Sequence, residues 1–88
     1  MSKQICQYHD FKVYRASYGY IVHNTHKGFA EGHTHVENYN TCMVLIKLVE
    51  RKQLPKSKSK HFIESLIRIS DDRKYINMIS DLMVKVAR

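Results

Sequence analysis

The fold turns on one stretch, Glu37-Asn38-Tyr39-Asn40-Thr41-Cys42-Met43-Val44-Leu45-Ile46-Lys47-Leu48-Val49. Within it the hydrophobic period changes. Cys42, Leu45, Ile46 and Val49 recur at spacings of three and four, which places them on one face of a helix. Met43, Val44 and Leu48 widen that face, so this helix is expected to be touched on more than one side. Asn38 or Asn40 supplies the N-cap, because a short amide accepts from the orphan N–H groups of the first turn. Pro55 follows shortly after the expected end, where it cannot prolong the helix.

Upstream, the chain favours strands. Ile5, Tyr8, Phe11, Val13, Tyr14, Tyr18, Tyr20, Ile21 and Val22 are β-branched or aromatic, and Phe11 and Val13 alternate with Lys12 and Tyr14. Ser17-Tyr18-Gly19 reads as a turn, with Tyr20 to His23 returning as the second arm of a hairpin. Asn24 to Gly32 reads as a loop punctuated by Gly28 and Gly32. His33 to Val36 supplies a short third strand.

Downstream, two more helices are expected. One starts near Ser57 or Ser59 and runs to Ile69, with Phe62, Ile63, Leu66 and Ile67 inward. The last starts at Ser70 or Asp71. Asp71 and Asp72 suit the positive end of its dipole, and Lys85 and Arg88 the negative end. Its buried stripe is Tyr75 or Ile76, Ile79, Leu82 or Met83, and Val86. The architecture expected is therefore α+β: an N-terminal β-hairpin or three-stranded antiparallel sheet, then three helices packed on one face, in a single domain spanning 1–88. Cys42, Ile46, Val49, Phe62, Leu66, Ile79 and Leu82 are expected to share its core.

A chain of 88 residues buries only a modest share of its surface, so a partner, a metal or a homodimer interface would add stability it needs. With 43% hydrophobic residues, three Gly and one Pro, the composition is globular rather than disordered. No stretch reaches the ~18–20 apolar residues of a membrane span, and Met1 to Asp10 has no signal-peptide core. Two cysteines, Cys6 and Cys42, are too few for a disulfide framework; free thiols in a reducing cytosol are expected.

Gly32-His33-Thr34-His35-Val36, Asn38-Tyr39-Asn40-Thr41 and Phe62-Ile63-Glu64-Ser65-Leu66-Ile67-Arg68-Ile69-Ser70 resemble stretches of small uncharacterised proteins carried by phages and conjugative elements of Gram-positive bacteria. The resemblance spans Tyr20 to Tyr75. It implies a cytoplasmic accessory role in a mobile element and transfers no site residue.

The formal charge of +7 favours anionic partners. Arg51, Lys52, Lys56, Lys58 and Lys60 form a cluster with no acid between them, at the junction of the first two helices. These five are the expected phosphate-binding groups for a nucleic acid held without catalysis, with Tyr14, Tyr18 and Tyr20 as candidates for stacking on unpaired bases. Read as helix–turn–helix, Ser59 to Ile69 would be the recognition helix, after a junction longer than that motif's usual turn. The competing class is a protein-binding module. Its six Tyr and four Met would serve an interface, and its charge would match an acidic surface, including a groove that normally holds nucleic acid.

Four of the six histidines lie between His23 and His35. His33 and His35, at i and i+2 on a strand, share a face and could present two imidazoles to a metal, with His23 and His26 as further donors. Structural zinc in so short a chain usually enlists paired cysteines, which are absent here, so no metal and no cofactor is assigned. His23-Asn24-Thr25 matches one element of the two-histidine phosphoesterases, but that chemistry needs a second and a longer fold. A small ribonuclease-like toxin would need an acid–base pair beside phosphate binders, and His33, His35 and Glu37 with Arg15 or Lys12 supply those types.

Overall fold

The computed structural model describes residues 3–56 and 59–86, excepting the side chain of Val86. Four strands come first: β1 (Lys3–Tyr8), β2 (Phe11–Arg15), β3 (Tyr20–Asn24) and β4 (His33–Val36). They form one antiparallel sheet in the order β1-β2-β3-β4. Three helices follow, α1 (Tyr39–Arg51), α2 (Lys60–Ile69) and α3 (Arg73–Val86), so the chain is α+β with its helices after its sheet.

The first arm of the expected hairpin proves to be two strands. His9 takes a left-handed backbone with φ of 54°, and with Asp10 it folds β1 back onto β2. No glycine marks this turn. β1 is also irregular, its register shifting between Gln4 and Cys6 to leave Ile5 as a bulge. The next turn does use glycine. Gly19 has φ of 87°, and a Cβ there would lie 2.3 Å from the Val36 carbonyl oxygen.

Alternation then sorts the sheet's two faces. Phe11 and Val13, Val22 and Asn24, and Thr34 and Val36 are buried toward the helices. Two of these are polar, and each is satisfied. The Asn24 side-chain amide donates to the Ile69 carbonyl at 2.9 Å while its oxygen accepts from the His26 N–H. Thr34 Oγ1 and Ser65 Oγ lie 2.7 Å apart, joining β4 to α2. Among the described residues no buried side-chain nitrogen or oxygen lacks a partner, as a low-dielectric interior demands.

Asn38 caps α1 by accepting from the Thr41 N–H at 2.8 Å. Cys42, Leu45, Ile46 and Val49 are buried, as their spacing requires. The helix ends at Lys52, in the left-handed region with φ of 55°, and the Gln53 N–H closes the end on the Leu48 carbonyl at 3.0 Å.

On α2 the inward ridge is Ile63, Ser65, Leu66 and Ile69, with Phe62 and Ile67 at its margins. The ridge is displaced from the expected set because α2 faces β4 and β3, α1 and α3 together. The expected start at Ser57 lies outside the described residues; α2 begins at Lys60.

α3 lies against α2. It starts at Arg73, with the Asp72 carboxylate accepting from the Tyr75 N–H at 3.1 Å. Tyr75 and Ile79 are buried and Leu82 and Met83 flank them. The Tyr75 hydroxyl donates to the Gln53 carbonyl at 2.9 Å, and burial pushes its ionisation up to about 12. Of the residues expected in one core, Cys42, Ile46, Val49, Leu66 and Ile79 are buried within it, and Phe62 and Leu82 pack on its margin.

Candidate nucleic-acid interface

α1 and α2 run in the same direction. The start of α1 (Asn38, Thr41) and the start of α2 (Ser59, His61, Phe62) border one cleft of about 310 Å³ beside Val36. At the other end, Val49, Glu50 and Lys52 border a second cleft with Ser70, Asp71 and Asp72. After α1 the chain turns back, and Leu54 and Lys56 line a groove with Val44, Leu48 and Phe62 on the helical layer. This is not helix–turn–helix geometry, in which the second helix departs at about 90–120° after a turn of about three or four residues.

The cations of the α1–α2 junction have different fates. Arg51, Lys56 and Lys60 are exposed, and among the described residues no carboxylate lies within ion-pair distance of them. Lys58 lies outside the described residues. Lys52 binds the Asp72 carboxylate at 2.6 Å, tying the end of α1 to the start of α3. That hydrogen bond raises the Lys52 ammonium above its ordinary value. It is also the main reason the Asp72 carboxyl titrates low, helped by the Tyr75 N–H.

The three tyrosines are not on one surface. Tyr18 stands at the tip of the β2–β3 turn, 94% exposed. Tyr20 lies on the helix side of the sheet, where its hydroxyl accepts from Arg15 at 2.8 Å and its ring meets Tyr39 edge-on at 5.9 Å. Only Tyr14 faces the side of the sheet that carries no helix.

That open face holds two cross-strand rows, Gln4–Tyr14–Ile21–His35 and Gln7–Lys12–His23–His33. The β3–β4 loop adds Phe29, a residue to which the sequence alone assigns no role. Its ring stacks on His33 with centroids 4.3 Å apart and planes 9° from parallel. It also meets His23 at 5.2 Å and the edge of Tyr14 at 6.3 Å. His35 stands edge-on to His33 at 5.2 Å. Ile21, paired across the ladder with Tyr14 and His35, is only 5% exposed although it lies on the face without helices. The one signal in the sequence is a lone aromatic between two glycines with histidines on either side, a pattern whose meaning depends on how the loop folds back.

Hydrogen bonds hold this loop in place. The Gly32 N–H donates to the Gly28 carbonyl at 2.9 Å, and His33 Nδ1 and His23 Nε2 pair with the carbonyl oxygens of Phe29 and Lys27. From α2, Arg68 donates to the carbonyls of His33 at 2.8 Å and Ala30 at 3.0 Å. The Lys27 ammonium in turn donates to the carbonyls of Arg68 and Ser70.

His33 and His35 thus share a face with His23, as their strand positions require, and their rings are engaged with Phe29 and with each other. His26 lies elsewhere, 3.0 Å from the Asp10 carboxylate. Among the described residues no group of three or more His, Cys, Asp or Glu is placed to hold a metal ion. Burial pushes the Cys42 thiol up to about 11, so it is a poor nucleophile. No described helix is long and apolar enough to cross a membrane.

Comparison with protein-family models, with curated proteins and with solved structures finds no match.

Proposed function

We propose that this protein binds nucleic acid without catalysis, as a small cytoplasmic accessory or regulator of a mobile element. The observation that carries the reading is the unneutralised charge. Fifteen Lys and Arg stand against eight Asp and Glu, and among the described residues Lys52 is the one lysine or arginine held in an ion pair. Arg51 at the end of α1, Lys56 on the connector and Lys60 at the start of α2 are exposed, and Lys58 belongs to the same acid-free run. Such cations release counterions from a phosphate backbone, a source of affinity indifferent to base sequence. The mobile-element role rests on the resemblance of the segments from Tyr20 to Tyr75.

Titration with labelled single- and double-stranded DNA and RNA at two salt concentrations tests the reading. Binding should weaken steeply with salt. Reversing Lys56, Lys58 and Lys60 to Glu should abolish it with the fold intact and, where residual binding is measurable, flatten the log–log slope by roughly 0.7–0.9 for each phosphate no longer neutralised. No complex with any probe at low salt refutes it.

A second reading has its own support. Val44 at 48% and Leu54 at 51% exposure line a groove of about 750 Å³ with Leu48 and Phe62. Exposed aliphatic side chains grouped in this way suit a protein partner. A complex formed through this groove would survive salt.

A further inference from the structure

We propose that the open face of the sheet is a base-stacking site for single-stranded nucleic acid, with Phe29 and His35 as its exposed rings and His33, His23 and Tyr14 as their support. The inference rests on the nucleic-acid reading and gives it a second, chemically different surface.

The cluster goes beyond what packing requires. A small sheet with helices on one side can leave its other side to water. Here the face carries one aliphatic residue, Ile21, whose cross-strand neighbours are Tyr14 and His35. Yet the loop adds an aromatic ring that remains 47% exposed, against the imidazoles of His23 and His33, with His35 beside the latter. Imidazoles are poor apolar filler, since each brings two polar nitrogens that must be paired or solvated. What they share with Phe29 and Tyr14 is a flat π-face, which an unstacked base can use and a paired base, already stacked in its duplex, cannot.

The backbone that carries Phe29 is also held in place. Phe29 does not hang from a free loop: hydrogen bonds from Arg68, His33, His23 and Gly32 hold the backbone on either side of it. Rings fixed before binding lose little freedom when a base arrives, which raises affinity with no further interaction.

Charge favours the same ligand. Lys12 belongs to the same cross-strand row as His23 and His33. At the rim, Arg68 and Lys27 spend their hydrogen bonds on carbonyl oxygens and so keep their positive charge. Glu31 is the acid of the loop, and its carboxylate folds back over Gly28. A polyanion crossing the face therefore meets net positive charge while its bases reach the rings.

Anisotropy titrations with an oligothymidine, an oligouridine, a hairpin duplex and an abasic DNA strand of equal length test the site. The wild type should bind both base-bearing single strands at least about 5-fold more tightly than the abasic strand. Phe29→Ala and His35→Ala should each weaken base-bearing strands by about 5- to 150-fold for every base that can no longer stack, leaving the abasic strand unaffected. Phe29→Trp, which keeps a π-face, should retain binding. The oligothymidine and oligouridine arms separate DNA from RNA. Should Phe29→Ala fail to fold, His35→Ala and the wild type's base-bearing to abasic ratio decide the question. Equal wild-type affinity for base-bearing and abasic strands, or a duplex bound as well as single strands and insensitive to His35→Ala, overturns the proposal. Either result leaves the phosphate reading standing, whereas no binding to any probe ends both.

Discussion

Thr34 and Ser65 offer a test in which removing more costs less. Their hydroxyls lie 2.7 Å apart, with Thr34 4% and Ser65 1% exposed, and their hydrogen bond holds β4, which carries His33 and His35, against α2. A buried hydroxyl deprived of its partner costs about 1–3 kcal/mol, while removing both members of a pair can be nearly neutral. The two single variants should not cost the same. In Thr34→Val the remaining Ser65 hydroxyl sits within a helix and can turn to the carbonyl four residues back, that of His61. In Ser65→Ala the remaining Thr34 hydroxyl sits in a strand whose carbonyls point along the ladder. We therefore expect about 2 kcal/mol for Ser65→Ala and about 1 kcal/mol for Thr34→Val, both within the range for orphaned groups. The double variant should recover most of the loss, with a coupling of about 2.5 kcal/mol. Urea unfolding followed by circular dichroism measures all four proteins, and an unchanged m-value shows that stability alone has moved. Against a total near 4–13 kcal/mol for a chain of this length, about 0.05–0.15 per residue, the larger loss is easily resolved. Strict additivity, with the double variant the least stable of the four, would refute the argument.

Two further perturbations follow from the geometry. Asp72→Asn keeps an oxygen to accept the Tyr75 N–H but removes the charge that Lys52 holds. Because the Asp72 carboxyl titrates below its ordinary value, the pair's contribution is complete above about pH 3.9 and is lost as pH falls through the lowered value. Because Lys52 is raised, the contribution is also lost as pH climbs through its elevated value. The stability difference between wild type and Asp72→Asn, from unfolding midpoints across pH, should therefore be a plateau that closes at both ends; a difference independent of pH would contradict the ion pair. Gly19→Ala should destabilise by more than about 1 kcal/mol, since it meets both a positive φ and the Val36 carbonyl, and an unchanged thermal midpoint would show the turn to be laxer than described.

The helices were legible because their signal is local. Cys42, Leu45, Ile46 and Val49 repeat on one face whatever lies opposite, and all are buried. The split of the first strand was hidden because His9 and Asp10 form a turn without glycine or proline, and a positive φ at histidine leaves no mark in composition. α2 stands where its pattern predicts, but its inward ridge is rotated slightly. Ser65 is buried only because Thr34 is there to meet it, and no periodicity can announce a partner supplied by another element. The same reasoning separates the parts of the candidate surfaces. The acid-free run from Arg51 to Lys60 is plain in the sequence, yet the commitment of Lys52 to Asp72 is a tertiary fact. Tyr14, Tyr18 and Tyr20 look equivalent on paper, and strand alternation sends Tyr14 and Tyr20 to opposite faces. Phe29 gains its role only once its loop lies back across the sheet.

The bulge at Ile5 bears on how copies of this protein meet. β1 is an edge strand, and the backbone groups on its outer side are those a second molecule would use to extend the sheet. Such extension needs a regular ladder, and the register shift between Gln4 and Cys6 breaks it mid-strand. Lys3 adds a charge at the end of this edge, a further deterrent to strand pairing. The β1 edge is thus guarded against sheet-to-sheet polymerisation. At the other edge, β4, the carbonyls of His33 and His35 are already engaged by the side chains of Arg68 and His61.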